Sequence, residues 1–488
     1  MHRLRLALVV FALLTIGVLS AGCGNLLSVG AGVSCVIQSD GAPNCFGANG
    51  SGQAGHSAGT TPASPGAVTL PKGYAAADIS VGQGSANGLA TVCVVAGKNV
   101  TLGGSVYCWG DDTGGLLGRG SAGAASAAPV KVKLGTGNTG SAITVGGTMA
   151  CALVSGMDAG VSCWGSQLGA GITAPSIVSG TSAFPVQGGG TSAASLLAVG
   201  QSHACAGGTT KLVCWGVGTS GQLGNGVSVD SATPVTVTLP KVITDIGAIA
   251  AGGASTCIQV TEKDGSSSAW CWGAIAAINV PTKVAFPGDL DAVQVSVGLN
   301  HACAMLSDAT VWCWGANESG QLGNGTLTAS ATPVNVIGVK ASRISAGQDQ
   351  SCAAMTSGFL RCWGSNAQGQ LGQAAVITVG ARPMTVPGID GLRAPIPKKV
   401  AIKGVAAVGS VLTATTAPWK YATQYTYQWQ RLNAKGEWVE IAKATKKTLR
   451  PSMSLGGNVV RVVVSGGNAW TMAGEPSSNA PPMQIPAG

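Results

Sequence analysis

The chain has 488 residues, of which 45% are hydrophobic and only 9% are charged, and it contains 76 glycines. Its length exceeds one ordinary domain, so a large domain and a smaller one are expected. So much glycine with so little charge would indicate a low-complexity chain if it had no period, and the period described below excludes that class. The net charge of +9 is unevenly placed, because residues 393–488 contain 12 basic and 3 acidic side chains whereas residues 1–392 contain 15 of each.

Residues 1–22 are predicted to be a lipoprotein signal peptide. Arg3 and Arg5 precede an apolar run over residues 6–19, which is short for a membrane span. The segment Ser20-Ala21-Gly22-Cys23 resembles the lipobox of bacterial lipoproteins, with serine where leucine is usual. The resemblance implies that Cys23 is lipidated and becomes the N-terminus, with Gly24 permitting sorting to the outer membrane or cell surface, and the periplasmic side as an alternative. A plain secretory signal with a leftover cysteine is the other interpretation.

A motif of cysteine, aromatic residue and glycine recurs seven times over residues 23–392. The second cysteines of the copies are Cys45, Cys108, Cys163, Cys214, Cys271, Cys313 and Cys362. Their successive gaps are 63, 55, 51, 57, 42 and 49 residues. Self-similarity at this period indicates a solenoid or a propeller built from one supersecondary unit per copy.

Each copy also has an earlier cysteine, and a turn signal usually lies between the two. Apolar residues flank the turn, so each pair is interpreted as two antiparallel strands with one cysteine on each. Directly opposed, non-hydrogen-bonded positions have Cα atoms about 4.5 Å apart, which suits a disulfide. The predicted pairs are Cys35–Cys45, Cys93–Cys108, Cys151–Cys163, Cys205–Cys214, Cys257–Cys271, Cys303–Cys313 and Cys352–Cys362. Paired cysteines indicate an oxidising compartment, and Cys23 is the one left over.

Three further elements accompany the cysteines in the clearest copies. A histidine precedes the first cysteine by two residues (His203, His301), Gly-Gln-Leu-Gly-Asn-Gly follows the tryptophan, and a Pro-Val strand comes next. This pattern resembles the regulator of chromosome condensation repeat. In that family seven repeats form a seven-bladed β-propeller, so the resemblance implies this fold over residues 23–392. The fifth copy lacks the Gln-Leu-Gly turn, and the third shortens it to residues 167–169.

The first copy is short at its N-terminal side, with eleven residues between Cys23 and Cys35. The last copy has surplus sequence over residues 382–387. We therefore expect this C-terminal strand to complete the first blade, because an open ring would expose sheet edges.

Residues 393–480 differ in character from the repeats, since they contain no cysteine and four tryptophans. Period-two segments predict strands around residues 411–414, 425–431, 438–441 and 459–464. The series resembles bacterial immunoglobulin-like surface domains, which implies a small β-sandwich with Trp429 in its core. Residues 481–488 are expected to be a flexible tail.

Candidate catalytic and metal sites are few. A Cys-His pair needs a free thiolate, and the predicted disulfides remove it, so His203 and His301 are interpreted as buried structural residues. The adjacent carboxylates Asp111-Asp112 are too few for calcium, and the chain has no CxxC pair for zinc. The glycine-rich turns lack the lysine of a phosphate loop. The sequence therefore predicts an all-β protein with no catalytic residue, metal or cofactor.

The basic excess near the C-terminus is a candidate binding patch for an anionic partner. Its residues are Lys398, Lys399, Lys443, Lys446, Lys447 and Arg450. An exported domain would meet anionic envelope polymers or lipid headgroups rather than nucleic acid, and a solvated surface with no partner is the alternative.

The function that the sequence favours is that of a non-enzymatic, lipid-anchored envelope protein, monomeric, whose propeller binds an unidentified protein. A secreted inhibitor of an enzyme is an alternative that the family implies. Guanine-nucleotide exchange for a small GTPase is a further one, against which the signal peptide and the cysteine pairs count.

Overall fold

The computed structural model describes residues 25–56, 63–84, 89–98, 103–157, 159–166, 180–185, 194–288, 290–373, 377–392, 397–420, 422, 424–468, 470 and 477–486. The predicted signal peptide and Cys23 lie outside these residues, as does the shortened turn of the third repeat. The chain divides into two compact units; the main boundary along the chain lies between Asp390 and Gly391, and the short segment Gln38–Gly41 is grouped with the second unit. Among the described residues no helix is long and apolar enough to cross a membrane.

The first unit contains seven antiparallel four-stranded blades, one for each repeat. Blades one and two contain β1 (Leu27–Val29), β2 (Val33–Ile37), β3 (Pro43–Gly47) and β4 (Ala63–Ala67), then β5 (Ala75–Val81), β6 (Thr91–Gly97), β7 (Ser105–Gly110) and β8 (Ser126–Lys131), with a short 3₁₀ helix at Thr113–Gly115. Blades three and four contain β9 (Thr139–Val145), β10 (Met149–Ser155), β11 (Gly160–Gly165) and β12 (Gly180–Pro185), then β13 (Leu196–Val199), β14 (His203–Gly207), β15 (Leu212–Gly216) and β16 (Ser231–Thr236).

Blade five has all four strands although its repeat lacks the Gln-Leu-Gly turn. It contains β17 (Ile243–Gly252), β18 (Ser255–Glu262), β19 (Ser267–Gly273) and β20 (Ile278–Lys283). Blades six and seven contain β21 (Ala292–Val297), β22 (His301–Leu306), β23 (Thr310–Gly315) and β24 (Ser330–Ala346), then β25 (Gln350–Met355), β26 (Leu360–Ser365) and β27 (Val379–Thr385). The long strand β24 is shared, because its first part pairs with β23 and its last part with β25.

The blades form a closed ring around a central channel of about 110 Å³, which the first strands of all seven blades line. The expectation that the C-terminal strand completes the first blade is wrong. β27 pairs with β26 and is the fourth strand of blade seven, while blade one has its own four strands. Within residues 25–32, the described residues before the first cysteine strand, one strand of three residues (β1) is present and completes blade one, so the short N-terminal sequence suffices.

The core of the ring lies between blades. Five buried clusters each combine the disulfide of one blade with the tryptophan of the next, as Cys303 and Cys313 do with Trp363. Trp109, Trp164, Trp215, Trp272 and Trp363 are almost fully buried. The recurring tryptophans are therefore packing residues.

The second unit contains two sheets over a common core, in which Trp429 is fully buried. One sheet has the order β28 (Val400–Lys403), β29 (Leu412–Thr416), β32 (Thr448–Leu449). The other has the order β31 (Trp438–Glu440), β30 (Gln424–Leu432), β33 (Val459–Gly467), β34 (Ser477–Asn479), and β35 (Met483–Gln484) also pairs with β33; a 3₁₀ helix spans Met453–Leu455. The resemblance to immunoglobulin-like domains stays a prediction.

The expectation of a flexible tail over residues 481–488 is wrong for residues 481–486. Met483 lies opposite Val460 in the ladder between β35 and β33, and Ile485 is fully buried in the core. The strand pairing and the buried side chain of Ile485 hold this segment in place.

Candidate functional site

The seven cysteine pairs are the most regular feature of the propeller. The structure joins each pair as a disulfide between the second and third strands of one blade: Cys35–Cys45, Cys93–Cys108, Cys151–Cys163, Cys205–Cys214, Cys257–Cys271, Cys303–Cys313 and Cys352–Cys362. Their Cα–Cα distances are 4.0–4.2 Å, because each pair occupies directly opposed positions. All fourteen cysteines are at most 3% exposed. None is available as a nucleophile.

A relay of hydrogen bonds joins blade six to blade seven next to one of these disulfides. His301 Nε2 lies 2.8 Å from Ser351 Oγ, which donates to the carbonyl oxygen of Gln321. Because the single hydroxyl proton of Ser351 goes to Gln321, His301 must donate through Nε2–H. Trp363 Nε1 donates to the same Gln321 oxygen at 2.8 Å.

The same relay joins blade four to blade five. His203 Nε2 lies 2.8 Å from Thr256 Oγ1, Thr256 donates to the oxygen of Gln222, and Trp272 Nε1 donates to that oxygen as well. Burial lowers the pKa of His203 to about 4 and that of His301 to about 3. Both imidazoles are therefore neutral at pH 7 and serve as structural donors.

The relay explains the repeated glycine-rich turn. Each turn presents a backbone oxygen to the next blade and approaches its tryptophan closely. Gly323 has a φ of +63°, and a Cβ there would lie 2.8 Å from Trp363 Cδ1. Glycine therefore supplies a left-handed conformation and the space for the ring.

Side chains at the start of each turn hold its shape. Asn317 Oδ1 accepts the N–H of Leu322, and Asn366 Oδ1 accepts that of Leu371, both at 2.9 Å. Asp112 takes this position in blade two, where it is buried, accepts the N–H of Leu117 and forms an ion pair of 2.6 Å with Arg119. Asp112 is thus a turn residue. The sequence could have indicated this role, because Asp112, Asn317 and Asn366 all lie four residues after the second cysteine of their repeats.

A ring of hydroxyl groups surrounds the central channel, and the sequence interpretation missed it. A serine or threonine before the Val-Gly or Ala-Gly pair accepts a backbone N–H from the next blade. The bonds are Val81 N to Ser28 Oγ, Val145 N to Ser80 Oγ, Val199 N to Thr144 Oγ1, Ala346 N to Ser296 Oγ and Val29 N to Ser345 Oγ, at 2.8–3.3 Å. Blades four and five have Ala198 and Ala250 at the matching positions. The recurrence of a serine or threonine before this pair in five repeats could have predicted the ring.

A second tier of polar side chains bridges blades beside this ring. Asp78 accepts the N–H of Asn25 at 2.6 Å and that of Ile143 at 2.7 Å, so it joins blades one, two and three. Burial raises the pKa of Asp78 to about 7, against the lowering effect of these donors. Gln294 exchanges two bonds of 3.0 Å with the backbone of Ile344. These groups hold neighbouring blades together.

Blade five contains a cavity of about 520 Å³, lined by Asp264, Asp291, Lys283 and Phe286 among others. Lys283 pairs with Glu262 at 2.7 Å, and Asp291 accepts the N–H of Ser267. Phe286 packs edge-on against Trp314 of blade six, with ring centroids 6.0 Å apart. The charged groups of this cavity already have partners. Phe286 packs against the next blade, which in other blades the Gln-Leu-Gly turn does. Within the described residues no three His, Cys, Asp or Glu side chains could hold a metal ion.

The residues of the predicted basic patch have different roles in the structure. Its residues are all exposed, but Arg450 Nη1 donates to the oxygen of Gly409 at 2.6 Å, so it braces a loop. Lys399, Lys446 and Lys447 adjoin the three-stranded sheet. Lys403, which the sequence interpretation missed, lies on the same sheet. Its signal was the alternation of residues 399–403, which places lysines 399 and 403 on one face of a strand.

Comparison with known proteins identifies the repeat. The chain is a disulfide-linked seven-bladed β-propeller followed by a small β-sandwich. Two family models of the regulator of chromosome condensation (RCC1) repeat match it, one over residues 292–321 and one over residues 103–153, 211–259 and 308–354. The chain therefore contains RCC1 repeats.

Solved structures agree on the fold. Yeast RCC1 (Prp20), in a structure bound to Kap60, has a TM-score of 0.58 and 17% identity, over 74% of this chain and 87% of that one. Human WBSCR16 has a TM-score of 0.55 and 20% identity, over 72% and 94%. These similarities confirm the predicted all-β propeller.

Curated relatives match over shorter segments. The human E3 ubiquitin-protein ligase HERC2 is 30% identical over 126 residues, which are 24% of this chain and 2% of that protein. The ultraviolet-B receptor UVR8 of Arabidopsis thaliana is 26% identical over 150 residues, 29% of this chain and 34% of that receptor. The chain thus spans only a small part of each relative.

Proposed function

We propose that the chain is a non-enzymatic, lipid-anchored protein of the cell envelope, whose propeller serves as a scaffold for binding another protein. One observation carries the proposal: every blade has its own buried disulfide. Disulfides at this density are typical of oxidising compartments and rare in the cytosol. The predicted lipobox at Cys23 supports attachment to a membrane.

The geometry favours binding over catalysis. Fourteen of the fifteen cysteines are in disulfides, and His203 and His301 are buried donors. The polar groups between the blades bond to one another and fix the ring. A rigid ring with many exposed loops is a common architecture for presenting binding residues. Relatives of this fold include yeast Prp20p, whose structure is described together with binding to Gsp1p and histones, which supports a protein as the partner.

Nucleotide exchange on a small GTPase is the second candidate, favoured by the likeness to yeast RCC1. It requires a cytosolic or nuclear location, where these disulfides would form poorly. Inhibition of a secreted enzyme is a special case of the scaffold, with one tightly bound target.

Crosslinking on intact cells, capture of the full-length chain and mass spectrometry test the proposal. We expect one stoichiometric exported protein, crosslinked through propeller loops. Its identity decides between a receptor-like scaffold and an inhibitor. Crosslinks to a cytosolic GTPase, or none to any protein from the propeller, would contradict the proposal.

A further inference from the structure

The three-stranded sheet of the second unit has an exposed face that is rich in lysine. Its core side contains Val400, Leu412 and Leu449, which are buried. Because side chains alternate across a strand, Lys403, Thr413 and Thr448 point to the opposite, solvent side. The ladders align these three in one row, since Thr413 lies opposite both Lys403 and Thr448.

Two further lysines join this row. The carbonyl oxygen of Lys399 accepts the hydroxyl of Thr416, the residue opposite Val400, so Lys399 lies directly before β28 and beside the end of β29. Lys399 has the same parity as Lys403 and lies about 13 Å from it along the strand. On the other side Lys446 precedes Thr448 by two residues, and the backbone of Lys447 accepts the N–H of Ala414.

This surface, called the lysine face, is defined by Lys399, Lys403 and Lys446, and none of these three described lysines forms an ion pair. The ion pairs Arg119–Asp112, Lys283–Glu262 and Lys340–Asp308 all lie in the propeller. Residues 391–488 contain three acidic residues. Glu437 directly precedes β31 of the other sheet, and Glu440 is its last residue. The third, at position 475, lies outside the described residues.

We propose that the lysine face binds a linear polymer of phosphate groups. A flat row of ammonium groups with threonine hydroxyls between them offers several donors to successive phosphates, and lysine acts as a mobile point charge suited to a flexible chain. No aromatic residue belongs to the face, so stacking of nucleic-acid bases has no support there. This site is separate from the protein-binding role of the propeller and does not depend on it.

Titration of the full-length chain with fluorescently labelled inorganic polyphosphate tests the site, with anisotropy read at several salt concentrations. Each lysine contact should contribute about 0.7 to the slope of log affinity against log salt. Lys403→Ala is expected to lower affinity about fivefold and to reduce that slope accordingly. The triple variant Lys399→Glu, Lys403→Glu, Lys446→Glu is expected to abolish binding.

A matched control carries the same change of charge in the propeller: Lys72→Glu, Lys211→Glu and Lys241→Glu, all exposed. It should bind polyphosphate as the wild type does. Equal losses in both triple variants would show a response to net charge alone and would overturn the site. So would retained binding in the lysine-face variant, or a preference for single-stranded DNA or anionic vesicles over polyphosphate at equal phosphate concentration.

Discussion

The backbone N–H of Val29 donates a hydrogen bond of 3.1 Å to Oγ of Ser345, and this bond joins the first blade to the last. Gln350 Nε2 reinforces the junction through the carbonyl oxygen of Gly30 at 2.6 Å, and Ser34 Oγ donates to the oxygen of Gln370 at 2.7 Å. The ring therefore closes through bonds between neighbouring blades, without a strand exchanged between its ends.

Ser345→Ala should weaken this closure. The substitution leaves the buried N–H of Val29 without its acceptor, which costs about 1–3 kcal/mol. Urea unfolding followed by tryptophan fluorescence measures the loss. Ser228→Ala, at an exposed serine of blade four, is the control and should change nothing. Equal stability of the two variants would show that the hydroxyl does not support closure.

Ala198→Ser should have the opposite effect. Ala198 lies opposite Cys205 as Ser345 lies opposite Cys352, so a serine there would offer an acceptor to the N–H of Ala251 in blade five. A gain of about 0.5–1.5 kcal/mol in the free energy of unfolding is expected. An unchanged or lowered value would mean that the hydroxyl ring does not extend to this junction.

The two buried histidines should make the propeller less stable in mild acid. The folded-state pKa values, about 4 for His203 and about 3 for His301, lie below the unfolded value of about 6.5. Below pH 6.5 the unfolded chain therefore binds protons that the folded chain does not, and stability falls with pH. At pH 5 the loss is about 2 kcal/mol for each histidine.

The double variant His203→Gln, His301→Gln isolates this effect in urea unfolding between pH 5 and 7. Glutamine is a suitable replacement because Gln350 occupies the matching position in blade seven and bonds to blade one. Asp78 has the opposite effect on stability. Its raised pKa of about 7 stabilises the folded chain as the pH falls from 7 towards 3.8. Because the wild type and the variant both contain Asp78, its effect cancels in the comparison. Parallel pH profiles for wild type and variant would refute the assignment.

Gly323→Ala should destabilise the chain by more than its backbone conformation alone explains. Gly288 is the matched control: it also has a positive φ, of +75°, but a Cβ there meets nothing within 4 Å. Gly288→Ala should cost about 1 kcal/mol through the left-handed conformation. Gly323→Ala should cost about 1–3 kcal/mol more, because the methyl group displaces Trp363. Thermal unfolding of both variants measures the difference.

The sequence predicted the features of the recurring cysteine motif and missed the closure of the ring, the hydroxyl groups around the channel and the lysine face. The cysteine pairs and the structural histidines follow from a motif that recurs at fixed offsets. The ends of the ring do not recur, and for this reason the role of residues 382–387 was misassigned. Lys403 was missed because its place beside Lys446 depends on how β28, β29 and β32 align, which composition does not determine.

The state of the cysteines in the protein's native cells tests the central proposal most directly. Cells are quenched in acid, the chain is alkylated with and without reductant, and its intact and peptide masses are measured. An exported scaffold predicts no alkylation before reduction, fourteen alkylated cysteines after it, and a lipid mass on Cys23. Alkylation of all the cysteines without reductant, with an unmodified Cys23, would place the chain in a reducing compartment and contradict the account.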